Sequence, residues 1–192
     1  MKIKYLLFIK IILICFISSS FVHAEIKNKL IKKIQDTQTL VFEFKQKIAD
    51  KIETGNCIIK YPKLLRCDYN DQKYQKRLIS NGRTLAVIQR RYKKIFYYSL
   101  KTTPLYFILD KEYLIDFINK NEPTLLNNNL IKYEISEKNK KFNIFFDGNS
   151  QNLKGWSTED IYKNNVEFLI INLKTNIPIN NKLFNIPSKE KL

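Results

Sequence analysis

From Thr39 to Ile48 apolar side chains fall at every second position. Leu40, Phe42, Phe44 and Ile48 alternate with Val41, Glu43, Lys45 and Lys47, which predicts a strand with one buried face. Gln46 interrupts that face. The same period runs on both sides of Pro62: Cys57, Ile59 and Tyr61 alternate with Asn56, Ile58 and Lys60, then Leu65, Cys67 and Tyr69 with Leu64, Arg66 and Asp68. A proline has no amide to give to a ladder, so Pro62 marks the turn between these two strands. Asn81-Gly82 marks a second hairpin, because both central positions of its tight turn need positive φ. Its arms are predicted at residues 75–80 and 83–89. A further strand at residues 94–100 is aromatic on both faces through Phe96, Tyr97 and Tyr98. Four more strands are predicted at residues 130–136, 142–146, 153–158 and 166–173.

Two stretches have helical spacing instead. Ile26, Leu30, Ile31 and Ile34 form one apolar stripe, with lysines between them. Pro104 opens P-L-Y-F-I-L-D-K-E-Y-L-I-D-F-I, apolar around most of its circumference, and a proline suits the first helical position. Such a helix must be covered or must cover something. The chain ends on Phe184-Asn185-Ile186-Pro187, and neither repeat nor linker interrupts it. The expected architecture is one mainly β domain: a strongly curved antiparallel sheet of about ten strands with a few short helices.

This pattern supplies more large apolar groups than so few helices can bury. Two readings of the apolar face stay open. It either lines a ligand cavity or is the filled interior of an ordinary sandwich, and alternation cannot separate the two. Cys57 and Cys67 stand equidistant from Pro62 and are expected to face each other across the hairpin. A disulfide and two buried thiols both fit that placement. Trp156 with Glu159 and Asp160 reads as a solvated strand end.

The first residues change the compartment. Lys2, Lys4 and Lys10, an apolar run at residues 11–17, Ser18-Ser19-Ser20 and Val22-His23-Ala24 follow the order of a secretory leader cleaved after Ala24. The run is far shorter than the roughly 20 apolar residues of a spanning helix. Cys15 follows Ile14, not a small residue, and does not fit a lipid-acceptor cysteine. Residues 25–192 are expected to form a single domain. The only His and Met fall within the leader, so the mature chain lacks imidazole for Ser-His-Asp chemistry or histidine metal sites. No catalytic residue, metal ligand or cofactor site is assigned. Paired carboxylates could hydrolyse glycosides, but no spacing singles out a pair. The formal charge of +16 accompanies a Lys-, Asn- and Ile-rich composition and attracts anionic surfaces. Export argues against nucleic acid as the partner.

Phe44-Lys45-Gln46, Gly55 before the strand into Pro62, and Leu65-Arg66-Cys67 recur in a known order. Leu78-Ile79-Ser80-Asn81-Gly82-Arg83-Thr84-Leu85, Thr103-Pro104-Leu105 and Leu183-Phe184-Asn185-Ile186-Pro187 continue it. In order and spacing these segments resemble the LolA family of outer-membrane lipoprotein carriers. The resemblance implies an unclosed β-barrel whose mouth is covered by short helices, and Leu183 to Pro187 as its closing strand. It implies a hydrophobic cavity lined by Leu40, Phe42 and Phe44, by Ile59 and Tyr61, by Leu65 and Tyr69, and by Leu85 and Val87. The lid would come from Leu105, Phe107 and Ile108 and from Leu30 and Ile34. Family members often carry Arg before the turn proline; Tyr61 stands there and becomes the gating candidate. Aromatic family positions are replaced at Cys67 and Ala86, which would reshape the cavity. The implied function is that of a periplasmic, monomeric, non-enzymatic chaperone for acylated lipoproteins. Its partners would be an inner-membrane lipoprotein-releasing ABC transporter and an outer-membrane lipoprotein receptor, with transient contact to membrane surfaces. The alternatives are a lipid- or peptide-sensing regulatory domain with the same half-barrel, and an exported carboxylate-dependent hydrolase.

Overall fold

A computed structural model describes residues 24–137, 140–160 and 162–192. The leader reading of residues 1–24 lies, apart from Ala24, outside the described residues. A helix, α1 (residues 24–36), leads into six strands: β1 (Thr39–Ile48), β2 (Lys51–Lys60), β3 (Leu64–Tyr69), β4 (Lys76–Asn81), β5 (Thr84–Gln89) and β6 (Lys94–Ser99). Two helices follow, α2 (Tyr106–Leu109) and α3 (Lys111–Lys120). The chain then returns to strands: β7 (Thr124–Leu126), β8 (Leu130–Glu137), β9 (Lys140–Asp147), β10 (Leu153–Glu159) and β11 (Asn165–Thr175).

All eleven strands belong to one sheet in the order β6-β5-β4-β3-β2-β1-β11-β10-β9-β8-β7. Every neighbouring pair is antiparallel, and β6 and β7 are left as edges, so the barrel is not closed. The first and last strands meet in the middle of the sheet, and α2 and α3 carry the chain from one edge to the other. Register slips between Val41 and Glu43 and between Leu153 and Gly155 bend β1 and β10, as bulges do.

Gly55 is needed where it stands. A Cβ there would lie 2.2 Å from the Asp68 carbonyl oxygen and 2.7 Å from the Phe44 ring, which folds into the space left by the missing side chain.

The sheet buries one apolar cluster on its concave face and a smaller one on its outer face. The outer cluster is Ile79, Ala86, Ile88 and Ile95, covered by Ile186 and Leu192. The expected closing strand is therefore absent from the sheet. Asn181–Phe184 is a 3-10 turn, and the tail beyond it packs on the outer face. Ala86 belongs to that outer cluster, so its small side chain reshapes nothing on the concave side.

The apolar stretch after Pro104 breaks where a single helix was expected. Asp110 leaves the helical region at φ −88° and ψ 96°, and its side chain accepts a hydrogen bond from the Tyr113 amide. It is the N-cap of α3, which turns Leu114 and Ile118 inward.

Candidate ligand site on the concave face

The strand register sets side chains into rows across the concave face. One row runs Phe42, Cys57, Cys67, Leu78, Val87, Phe96, and the next Leu40, Ile59, Leu65, Ser80, Leu85, Tyr98. Directly paired residues point to the same side of a sheet, so both rows are continuous surfaces. Each begins in the core and ends in solvent: Phe42 is buried, Val87 half-buried and Phe96 43% exposed. Cys57 and Cys67 are joined by a disulfide in the first row. Of the two alternatives left by the sequence, the structure has the disulfide.

An aromatic stack crosses the face from β10 to β3. The Trp156 ring stacks on Phe168 at 3.9 Å, Phe168 on Phe44 at 4.7 Å, and Tyr69 meets the Phe44 ring edge-on at 4.8 Å. Trp156 is thus buried in the concave face and not at a solvated end, because the bulge in β10 swings it inward. Glu159 is exposed.

Polar groups close one end of this surface. The Tyr69 hydroxyl donates to Gln46 Oε1 at 2.9 Å, and Lys76 Nζ lies 3.8 Å above the Tyr69 ring. Burial raises the affinity of Tyr69 for its proton, so it stays neutral. Glu53 is 8% exposed. Burial would raise its pKa, but hydrogen bonds from Lys51 and Lys76, each 2.6 Å, outweigh that and hold it below the usual carboxylate range.

The three helices cover the face as a lid. Leu30, Ile34, Ile108, Leu109, Leu114 and Ile118 are buried against it, while Leu105 and Phe107 are partly buried. Phe107 packs on Phe142 at 5.6 Å and Phe117 on Tyr133 at 6.3 Å. Of the nine side chains expected to line a cavity, Leu40, Phe42, Phe44, Ile59, Leu65 and Leu85 are buried there. Tyr61 and Tyr69 are partly buried and pack on the same cluster; Val87 continues the face beyond it.

A crevice of about 20 Å³ is bordered by Ile34, Leu40, Tyr61, Leu114, Phe146 and Leu153. That is room for about one water molecule. Larger clefts open elsewhere: one of about 560 Å³ is bordered by Val41, Phe42 and Leu173, and one of about 270 Å³ by Tyr61, Lys63 and Asp110.

The fastening of the lid was missed by the sequence. The Tyr61-Pro62 peptide is cis, and Lys63 follows with φ +67°. The Lys63 amide donates to the Leu109 carbonyl at 2.9 Å, and its Nζ lies 3.0 Å from the Asp110 carboxylate. Ser80 Oγ donates to the Lys63 carbonyl at 2.7 Å and holds the turn from the sheet side. Burial would raise the Asp110 carboxyl; hydrogen bonds from Tyr106, Lys63 and the Tyr113 amide outweigh it and keep it below the usual range. Tyr61 contributes differently. Its amide donates to the Gln38 carbonyl at 2.9 Å, Lys111 Nζ lies 5.2 Å over its ring, and burial alone raises its hydroxyl pKa. No hydrogen bond from that hydroxyl occurs among the described residues. The sequence signal for Asp110 was its place before Lys-Glu at a helix start.

The site is thus the apolar concave face of an unclosed half-barrel, capped by three helices and tied at the turn after β2. The chain belongs to the LolA family: the profile of the outer membrane lipoprotein carrier protein LolA matches residues 35–187. Among solved structures it is similar in fold to an uncharacterized conserved protein from Thermus thermophilus. The TM-score is 0.53 at 6% identity, over 85% of this chain and 93% of that one. It also matches a LolA superfamily protein from Nitrosomonas europaea, with a TM-score of 0.44 at 12% identity over 85% and 97% of the two chains. A chain of the Pseudomonas aeruginosa MucA/MucB complex matches with a TM-score of 0.46 at 10% identity, over 84% of this chain and 60% of that one. No curated protein sequence matches the chain.

Proposed function

We propose that this protein is a periplasmic carrier that shields the acyl chains of lipoproteins on its concave face between the inner and outer membranes. The family is periplasmic and is made up in general of binding or chaperone proteins, which supports a carrier over an enzyme. The observation that carries the reading is the lid itself. Its underside is apolar, it rests on an apolar floor, and its junction is tied to the sheet through Lys63.

The physics suits reversible exchange. Each buried CH₂ contributes about 0.8 kcal/mol, so exposing three long acyl chains to water costs tens of kcal/mol. A carrier must offer comparable apolar surface and still let go. When α1, α2 and α3 swing away, the rows from Leu40 and Phe42 and the aromatic stack are freed for cargo. On release the lid's own Leu and Ile side chains return to the floor. Cargo and lid compete for one surface, which keeps the net affinity below the gross burial energy. On this reading the lipoprotein is received from an inner-membrane releasing transporter and passed to an outer-membrane receptor.

Mass spectrometry of what copurifies with the native protein tests the reading. Acylated lipoproteins in near-stoichiometric amount are expected. A single unacylated signalling protein in their place would overturn it in favour of a sensing domain.

A further inference from the structure

The edge of the sheet at β6 carries an unusual combination of groups. The β5–β6 turn presents Arg90, Arg91, Lys93 and Lys94, all exposed, and Lys73 stands exposed in the neighbouring β3–β4 turn. The two turns are joined: the Arg91 amide donates to the Tyr74 carbonyl and Arg91 Nη1 to the Gln72 carbonyl, both at 3.4 Å. None of these cations forms an ion pair among the described residues. Asp71 accepts from the Lys73 and Tyr74 amides of its own turn, and Asp68 pairs with Arg66 and Arg77.

Aromatic side chains stand among these cations. Tyr92 is 47% exposed, its ring 5.7 Å from that of Tyr74. Phe96 and Tyr98 pair with Val87 and Leu85, so they point to the concave side, yet they are 43% and 49% exposed. They are the solvent ends of the two apolar rows that run inward to Phe42 and Leu40.

We infer that this rim docks on the anionic headgroup surface of a lipid bilayer. Clustered cations with no acidic partner complement phosphates, and tyrosine and phenylalanine settle at the boundary of headgroup and acyl chain. Docked in that way, the uncovered edge of the concave face lies against the bilayer, and an acyl chain can pass along Phe96, Val87 and Leu78 without crossing water. The passage rests on the carrier reading; the docking does not.

Vesicle flotation of the purified protein is the test, with phosphatidylcholine alone or mixed with phosphatidylglycerol. Binding is expected to the mixed vesicles only and to weaken as salt rises, since screening sets in within about 10 Å at 0.1 M. Each cation near such a surface is worth roughly fivefold in binding. Arg90→Glu with Arg91→Glu should therefore weaken it by more than tenfold. Phe96→Ser with Tyr98→Ser should weaken it severalfold with an unchanged melting temperature, as both are exposed. Lys45→Glu with Lys174→Glu, exposed cations on other strands, should have little effect. Equal loss in that control, indifference to the rim variants, or rim-dependent capture of an acidic protein without vesicle binding would overturn the inference. Failure of the carrier reading appears separately, in the cargo that copurifies.

Discussion

Lys63 and Asp110 join the turn after the second strand to the junction of two lid helices, with Nζ 3.0 Å from the carboxylate. The cation sits just past the turn proline, and the residue just before that proline lends only a ring and an amide. Lys63→Ala should loosen the lid by about 1 kcal/mol, the range for a partly exposed pair. The rate of binding of a fluorescent apolar probe should rise severalfold. Tyr61→Phe should leave that rate unchanged; an increase would put the latch back on the tyrosine.

The same pair gives the lid a dependence on acidity. Asp110 is held below its ordinary value, so the folded lid prefers the carboxylate. Its contribution is complete above the usual aspartate range, about pH 3.9, and fades as pH falls through its lower native value. Probe binding should quicken in acid below pH 4, and Asp110→Asn should flatten that part of the profile. A profile identical in both proteins would assign the effect to other carboxylates.

The lid's underside should control both stability and access. Ile108→Ala and Leu114→Ala each remove a buried side chain, at about 2–4 kcal/mol. Denaturant unfolding should show that loss, and both variants should bind more apolar probe at equilibrium. A stability loss with no gain in probe binding would mean that the helices are fixed core.

The disulfide closes a separation of 10 residues, worth about 2–3 kcal/mol on the loop-entropy scale. Replacing both cysteines by Ala should lower stability by that much without opening the hairpin. In the native protein the bond is buried under the lid, with Cys57 1% and Cys67 4% exposed. Reductant should therefore act slowly until the protein unfolds, which thiol labelling over time can follow.

Gly55→Ala should be among the most damaging single-methyl changes. The added carbon meets a backbone oxygen at 2.2 Å, which cannot move without disturbing the pairing of β2 with β3. A loss above about 2 kcal/mol in denaturant unfolding is expected, and little change would mean that the Phe44 ring and the strand both yield.

Strand faces were legible because alternation and turn chemistry are local. Leu40, Phe42 and Phe44, the proline turn and Asn81-Gly82 announce themselves within a few residues. What the concave face holds was not legible, since the same alternation serves a hollow and a packed interior. The break at Asp110 was hidden because its neighbours continue the apolar spacing, and only a capping side chain divides them. Lys63 carries no pattern of its own; its role comes from α2 and α3 folding back across the turn. Trp156 misled because its strand holds a bulge, which shifts the side-chain parity by one residue. The tail was misplaced because residues 183–187 are apolar enough for a strand but serve a second, outer cluster.

Because β1 lies between β2 and β11, the floor under the lid cannot assemble stepwise as the chain emerges. Phe42 and Phe44 wait for Phe168 and Ile170, more than a hundred positions later, before their flank is covered. Such distant pairing slows folding and leaves a greasy strand border bare meanwhile, a hazard for self-association. A newly made copy is thus itself a client in need of protection until its last strand slots home.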